Sequence, residues 1–445
     1  MRFSLFLPLF ALAACAPQVA TTKIDGSALP ARFDASQPPV PEVASSLKTL
    51  FPSSELAGLI NRALSRNPDL RASYARLEEA GFNTRRTRAS LYPSLNLSAG
   101  EFSSDFGTQT DRFSTTLDAQ WELDVWGRIR SGVTAASRDQ AAIAADYATA
   151  RQSIAAQTAQ AYFNLVAATQ LVDLNERSLK SFASTFSRVE RRFERGLADL
   201  GDVDLARTDI ENTRAGLAAR QNQRDQAARR LAALTGDYPD ARRQAANFPS
   251  LARSVPAGIP SQILIKRPDL DAAYQRIRAA DARITVAHAD LYPRFSLTAS
   301  DGQQSATLRG LANSNFNVWS FGANLTAPLL DGGARRAELG AANARAKQAY
   351  ATYQATVLNA LREVEDALGS EGYLASREAS TRRALNAALS AEDSVRRNYE
   401  AGLLELLSLL ETQRRAFNTE ESLINIRALR YQNRVALALA LGKAL

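Results

Sequence analysis

Strict alternation of apolar and polar side chains marks one stretch of the chain. Phe113, Thr115, Leu117, Ala119, Trp121, Leu123 and Val125 fall on one side, and Ser114, Thr116, Asp118, Gln120, Glu122 and Asp124 on the other. A period of two is that of a β-strand. Shorter alternations recur. Leu95, Leu97 and Ala99 oppose Asn96 and Ser98, and Phe295, Leu297 and Ala299 oppose Ser296 and Thr298. Trp319, Phe321, Ala323 and Leu325 oppose Ser320, Gly322 and Asn324. These patterns predict β-strands over 94–106, 113–125, 294–303 and 317–329. The longest is long enough to cross a bilayer when tilted, and Trp121 and Trp319 suit an interfacial aromatic belt.

After each strand pair the period changes. Residues 128–194 contain no proline and a single glycine, Gly132. Leu165, Val172, Leu179, Phe186 and Phe193 recur every seventh position, with Ala168, Phe182 and Val189 in a second row interrupted by Asn175. That is coiled-coil spacing. At 1.5 Å per residue the helix would span roughly 100 Å. A second long helix is predicted over 333–401, and return helices over 202–235 and 403–441. In the last, Leu403, Leu410, Phe417, Ile424 and Tyr431 again step by seven.

Length alone suggests about three domains, but internal repetition gives a different division. Asn67-Pro68-Asp69-Leu70 is echoed by Arg267-Pro268-Asp269-Leu270, and Leu91-Tyr92-Pro93 by Leu291-Tyr292-Pro293, both at an offset of 200. Arg192-Phe193-Glu194-Arg195-Gly196-Leu197 is echoed by Asn398-Tyr399-Glu400-Ala401-Gly402-Leu403 at an offset of 206, and Gly236 by Gly442. Residues 53–250 and 251–445 therefore form two structural repeats, each reading helix, two strands, long helix, turn, return helix.

The start of the chain reads as an address. Arg2 precedes the apolar run Leu5–Ala13, as in a secretory signal peptide, here 1–14. Leu12-Ala13-Ala14-Cys15 resembles the bacterial lipobox, which predicts a diacylglycerol and an N-acyl lipid on Cys15, the only cysteine. Residues 15–52, rich in Pro, Ala and Ser, read as a lipidated extended tether.

Composition removes several function classes. One Cys and one His exclude a disulfide framework and a multi-ligand zinc site. His288 would be the sole imidazole base, and no nucleophile–base pair for a hydrolase is evident. Gly442-Lys443 is no phosphate loop, since Leu437 and Ala444 stand where Gly and Ser/Thr are required. The net charge of +8 comes from 54 Lys+Arg against 46 Asp+Glu. These charges are interspersed along the chain, which argues against nucleic acid as a partner.

Four spanning strands cannot close a barrel, and an open sheet in lipid leaves its edge groups unsatisfied. Several chains must therefore share one barrel. Two would give eight strands and three would give twelve; the physics does not choose between them.

The repeat, strands, helical hairpins and lipobox together resemble the TolC-like outer membrane efflux protein family, in its lipoprotein branch. The resemblance runs from Leu56 to Leu441. It rests on the doubled Pro-Asp-Leu…Leu-Tyr-Pro, on Trp126-Gly127-Arg128, on Pro328-Leu329-Leu330-Asp331-Gly332-Gly333 and on the Gly-Leu hairpin tips. It implies a mostly α fold with transmembrane β-structure: a homotrimer whose twelve-stranded β-barrel continues into a coiled-coil α-barrel tunnel. The implied location is the outer membrane. The implied partners are the membrane lipid, a periplasmic adaptor protein and an inner-membrane pump, and the implied role is the exit duct of an efflux system. A coiled-coil envelope-spanning lipoprotein without a pore is the competing reading, though it has no use for lipid-facing strands. By resemblance, Asp202 and Tyr399 match a contact between neighbouring hairpins, and Leu407, Glu411 and Arg414 match constriction positions. Leu404 stands where some members carry a locking Arg, and Ser408 replaces one of two acids, leaving Glu411 to form a single acidic ring. The tips Gly196, Leu197, Asp199, Gly402, Leu403 and Glu405 would contact the adaptor, with Asp202 expected as the N-cap of the first return helix. No catalytic residue, resident metal or cofactor is expected beyond the lipid on Cys15.

Overall fold

The computed structural model describes residues 33–34, 46–105, 109–243, 245, 247–251 and 266–443. The signal segment, Cys15 and most of the tether lie outside the described residues. The chain divides into two compact units, each drawing on both repeats. One comprises Ala75–Asp146 and Asp269–Thr356; the other comprises the described residues of Ala28–Tyr74, Tyr147–Pro268 and Val357–Leu445.

The first unit holds one antiparallel sheet, ordered β1-β2-β3-β4. Its strands are β1 (Ser94–Asp105), β2 (Gln109–Leu123), β3 (Arg294–Ser305) and β4 (Asn317–Thr326). Pairing of β2 with β3 joins the two repeats. Register sorts the side chains by face. Asn96, Asp118, Ser300 and Ser320 form one polar row across the sheet. Leu95, Ala119, Ala299 and Phe321 form an apolar row on the opposite face. The next row on that face is Leu97, Leu117, Asp301 and Trp319, so an acid interrupts it beside the tryptophan.

The strand ends differ from the alternation for identifiable reasons. β2 stops at Leu123 because Asp124 leaves the ladder to cap the helix that follows, α4 (Arg128–Glu194). Its carboxylate accepts from the Ile129 and Arg130 amides at 2.8 and 2.9 Å. β4 ends at Thr326, short of 329, since Pro328 cannot donate to a ladder. Asp331 then caps α7 (Ala334–Glu400), accepting from the Gly333 and Arg335 amides at 3.0 and 3.3 Å. The two strand-exit motifs are thus the same device, a carboxylate satisfying the free amides of a long helix. At the first exit Trp126 also donates to the Pro293 carbonyl at 2.7 Å and stacks on Tyr292. Two shorter helices, α3 (Pro68–Ala89) and α6 (Pro268–Ala289), precede the strand pairs. α6 packs on the start of α7 through Ala280, Ile284, Ala287, Ala342 and Ala346. Arg276 and Arg283 pair with Asp146 and Asp139 of α4.

The second unit is helical. The hairpin of α4 with α5 (Leu200–Leu234) and that of α7 with α8 (Leu406–Ala440) make its frame. The end of the segment expected as an extended tether is helical: α1 (Leu47–Leu50) places Leu47 and Leu50 in the core with Phe51, and α2 (Ser54–Arg66) follows. Leu47, Leu50, Phe51, Leu56 and Ile60 join Phe163, Leu165, Leu231, Tyr431 and Val435 in one core. Phe51 meets the Phe163 ring edge-on at 4.8 Å, and Phe248 stacks on Tyr431 at 4.7 Å. Each such side chain removed from water contributes about 1.5–3 kcal/mol.

The echoed Pro-Asp-Leu motif has a structural cause. Asn67 donates to the Leu234 carbonyl at 3.0 Å, at the end of α5, and Arg267 donates to the Ala440 carbonyl at 3.1 Å, at the end of α8. Beside each clasp sits a glycine, Gly236 (φ 71°) or Gly442 (φ 67°). A Cβ there would stand 2.7 Å from the carbonyl oxygen of Arg66 or Lys266, so any other residue would clash as well as strain the backbone.

α7 and α8 are joined by an ionic ladder. Buried Glu378 accepts from Arg427 and Arg430, at 3.3 and 3.0 Å. Glu371 accepts from Arg430 and Arg434, at 3.0 and 2.9 Å. Burial pushes the Glu378 carboxyl up, but hydrogen bonds from Arg430 and Arg427 outweigh it and hold the group below its ordinary value.

Two outcomes are expected. Leu117→Arg should cost about 2–4 kcal/mol if this face meets the bilayer core, and Ser320→Arg on the polar face much less, read by urea unfolding in liposomes. Glu378→Ala removes the acid shared by Arg382, Arg427 and Arg430, of which Arg430 keeps Glu371, and should cost about 2 kcal/mol at neutral pH. Because the Glu378 pKa is depressed in the fold, its contribution is full above the unfolded value and is lost as pH falls through the folded one. Thermal melts of wild type and variant should therefore converge towards acid pH.

Candidate gate at the hairpin tips

Both tips turn in the same way. At the end of α4, Gly196 (φ 71°) donates to Phe193 and Leu197 to Arg192, each at 2.8 Å. At the end of α7, Gly402 (φ 76°) donates to Tyr399 at 3.0 Å and Leu403 to Asn398 at 2.9 Å. This paired bonding is a Schellman closure, which needs a residue with positive φ. Leu197 and Leu403 then project, 64% and 74% exposed. Leu403 therefore belongs to the turn, and α8 begins at Leu406.

The helix starts differ. Asp199, not Asp202, is the N-cap of α5, accepting from the Asp202 amide at 2.8 Å. The helix begins earlier than the sequence reading placed it, so Asp202 sits in its first turn. Glu405 holds the equivalent position before α8 and makes no side-chain cap.

Tyr399 is 5% exposed and packs with Phe182, Val189, Val203, Leu406 and Leu409. Within one chain its partner is an arginine that the sequence reading missed. The Arg192 guanidinium lies over the ring, 5.0 Å from its centroid, and donates to the Tyr399 carbonyl at 3.3 Å. One turn earlier, Arg188 pairs with Glu400. Among the described residues Tyr399 and Asp202 share no hydrogen bond within the chain. Asp202 still acts through its charge. Burial pushes the Tyr399 hydroxyl up, Arg192 opposes that, and Asp202 adds to it, with the net shift upward.

The residues expected at a constriction divide. Leu407 (47% exposed) and Glu411 face solvent on successive turns of α8. Arg414 turns towards the first hairpin, its Nε 3.4 Å from Asp209 Oδ2, and no Glu411–Arg414 surface pair forms. Further links run between the hairpins. Arg177 pairs with Glu420 at 2.6 Å, Arg220 pairs with Glu421, and Gln413 donates to Thr185 at 3.1 Å. Arg188, Arg192 and Asp209 were therefore missed by the sequence reading. The only available signal was the density of arginines in the last turns of α4, which the helix dipole alone would explain. Among the described residues no group of three His, Cys, Asp or Glu could hold a metal ion. His288 lies in the last turn of α6 with its ring 5.4 Å from that of Tyr292.

The comparisons with known proteins agree with this geometry. The family model for outer membrane efflux proteins matches residues 59–237 and 259–443. The cation efflux system protein CusC of Escherichia coli K12 is 32% identical over 403 residues, covering 89% of this chain and 88% of its own. The probable outer membrane lipoprotein SilC of Salmonella typhimurium is 26% identical over 446 residues, covering 98% and 96%. The solved structure of the outer-membrane channel OprN superposes with a TM-score of 0.88 at 27% identity, covering 96% of this chain and 99% of that one. The doubled helix–sheet–hairpin plan, the matching tips and these likenesses place the chain in the outer membrane efflux protein family, as an outer-membrane efflux channel.

Proposed function

We propose that three copies of this chain close a twelve-stranded barrel, and that their long hairpins form a twelve-helix periplasmic tunnel. The observation that carries this is the four-stranded sheet ending at β1 and β4. In hydrocarbon each unsatisfied backbone group costs several kcal/mol, so the edges must pair with neighbours. One row of the polar face, Ser98, Thr116, Gly302 and Val318, carries only small side chains, which suit a water-filled lumen wider than eight strands allow.

In this reading the protein is a passive duct and does no catalysis. The exposed leucines at Leu197 and Leu403, with Gly196, Asp199, Gly402 and Glu405 around them, form the surface that a periplasmic adaptor engages, and the adaptor couples the duct to an inner-membrane pump. Leu407 and Glu411 line the resting constriction, three carboxylates forming a cation-selective ring. Arg414, Tyr399 and Asp202 hold the hairpins shut, helped by Arg188 and Arg192. Leu404 replaces the arginine lock of some relatives, and the Arg192–Tyr399 contact supplies a clasp from the opposite hairpin. The lipid on Cys15 anchors the chain's start in the same membrane, a reading supported by the likeness to a named outer membrane lipoprotein.

Planar-bilayer recording of the detergent-purified protein tests the duct. Wild type should conduct weakly and be blocked by divalent cations. Glu411→Gln should relieve that block, and Tyr399→Phe and Arg192→Ala should raise resting conductance. Unchanged conductance and block in all three would place the constriction elsewhere; no conductance at all, with a mass other than a trimer's, would favour a pore-less spacer. Separately, mass spectrometry of the mature protein should show an acylated N-terminal residue at Cys15, with Cys15→Ser left unprocessed. An unmodified wild-type terminus would rule out the anchor.

A further inference from the structure

Within the helical unit, α4, α5 and α8 surround a cavity of about 300 Å³. This is the lower end of the range of small-molecule pockets. Its lining is amphipathic. Phe182 and Phe417, with ring centroids 5.9 Å apart, and Leu174 supply apolar surface. Asp209, Asn175 and Glu421 supply acceptors.

Asp209 is the unusual member. Its Oδ2 is buried and receives no hydrogen bond. Arg414 forms an ion pair with this oxygen, its Nε 3.4 Å away but outside hydrogen-bond alignment, and its side chain is about half exposed. A buried carboxylate oxygen held by an ion pair but by no aligned hydrogen bond is under-satisfied, and an aligned donor from a ligand would recover part of that cost. Burial pushes the Asp209 carboxyl up, with Arg414 opposing.

The opposite end of the cavity also presents acceptors. Asn175 uses its Nδ2 to reach the Leu171 carbonyl at 3.0 Å, and its Oδ1 lies 3.3 Å from where a Cβ on Gly216 would stand. Gly216 thus keeps that end open, and Glu421, paired with Arg220, lines it too. Asp209 and Gly216 are seven positions apart on one straight helix, so the two ends are separated by about 10 Å.

We propose that this cavity is a binding site for linear organic diammonium ions. One ammonium donates to Asp209 Oδ2 beside the Phe182 ring, whose face attracts a cation. The alkyl body lies along Phe417 and Leu174, and the second ammonium reaches Asn175 Oδ1 and shares the Glu421 carboxylate with Arg220. Arg414 swings into solvent as the first ammonium takes its place. The site depends on the helical unit alone and does not rest on the duct reading.

Isothermal titration of the full-length, detergent-purified protein with 1,8-diaminooctane, against matched detergent buffer, tests this. Binding should be saturable. It should weaken by about tenfold or more for octylamine, which lacks the second charge, and for 1,3-diaminopropane, which is too short. Asp209→Asn should weaken it similarly, and Gly216→Leu, which fills the cavity while leaving Asp209 in place, should abolish it. Absence of saturable binding up to about 10 mM would overturn the proposal, as would equal affinity in wild type and both folded variants. Equal affinity for octylamine would overturn the two-ended geometry.

Discussion

A backbone amide facing hydrocarbon has no water to bind, and this constraint governs the sheet unit. Every strand of β1–β4 satisfies its inner ladder within the chain, while the outer ladders of β1 and β4 are open. A protein with such a sheet is incomplete alone in a bilayer. The same concern for unsatisfied groups operates at the strand exits. Two long helices begin there with free amides; Asp124, taken from the strand pattern, and Asp331, beyond it, meet them. β2 therefore stops two residues short of its alternation, because Asp124 serves the helix that follows.

The duplication is preserved most strictly where backbone meets backbone. Asn67 and Arg267 differ in chemistry, yet both reach a carbonyl at the end of a return helix, next to a glycine pressed against the preceding chain. Side chains around these clasps have diverged. Asp237 follows Gly236 and is held below its ordinary pKa: burial opposes ionisation, but Thr235, Arg62 and Arg243 outweigh it. Lys443 follows Gly442 and is pulled down by burial and by Lys266. Repeated backbone geometry with diverged electrostatics is what a duplicated chain retains when only its packing is constrained.

The fold class was legible because period two and period seven are local signals that survive over many residues. What was not legible depended on contacts distant in sequence or on elements too short to show a period. α1 is four residues long, and its burial comes from Phe163 and Tyr431, far along the chain. Phe193 continues the heptad row but is exposed, since a straight helix drifts about 20° per heptad from a 3.5-residue repeat. Asp199 and Asp202 are equally good capping residues on paper, and only the start of α5 separates them. Arg192 looks like a solvated charge until Tyr399, 207 positions away, is brought beneath it. Of the candidate gate, the turns were readable and the partners were not.

The two hairpin tips share one turn but not one stiffness. Asp199 secures the start of α5, while Glu405 leaves the start of α8 without a side-chain cap. A cap of this kind stabilises a helix start by about 1 kcal/mol. Repeated around a ring, such chains set firm and yielding tips in alternation. The mouth then has the symmetry of the number of chains, not of the number of hairpins. A uniform pull on all tips would be answered unevenly, with every second one giving way first, so the opening would widen as a lobed figure before it became round.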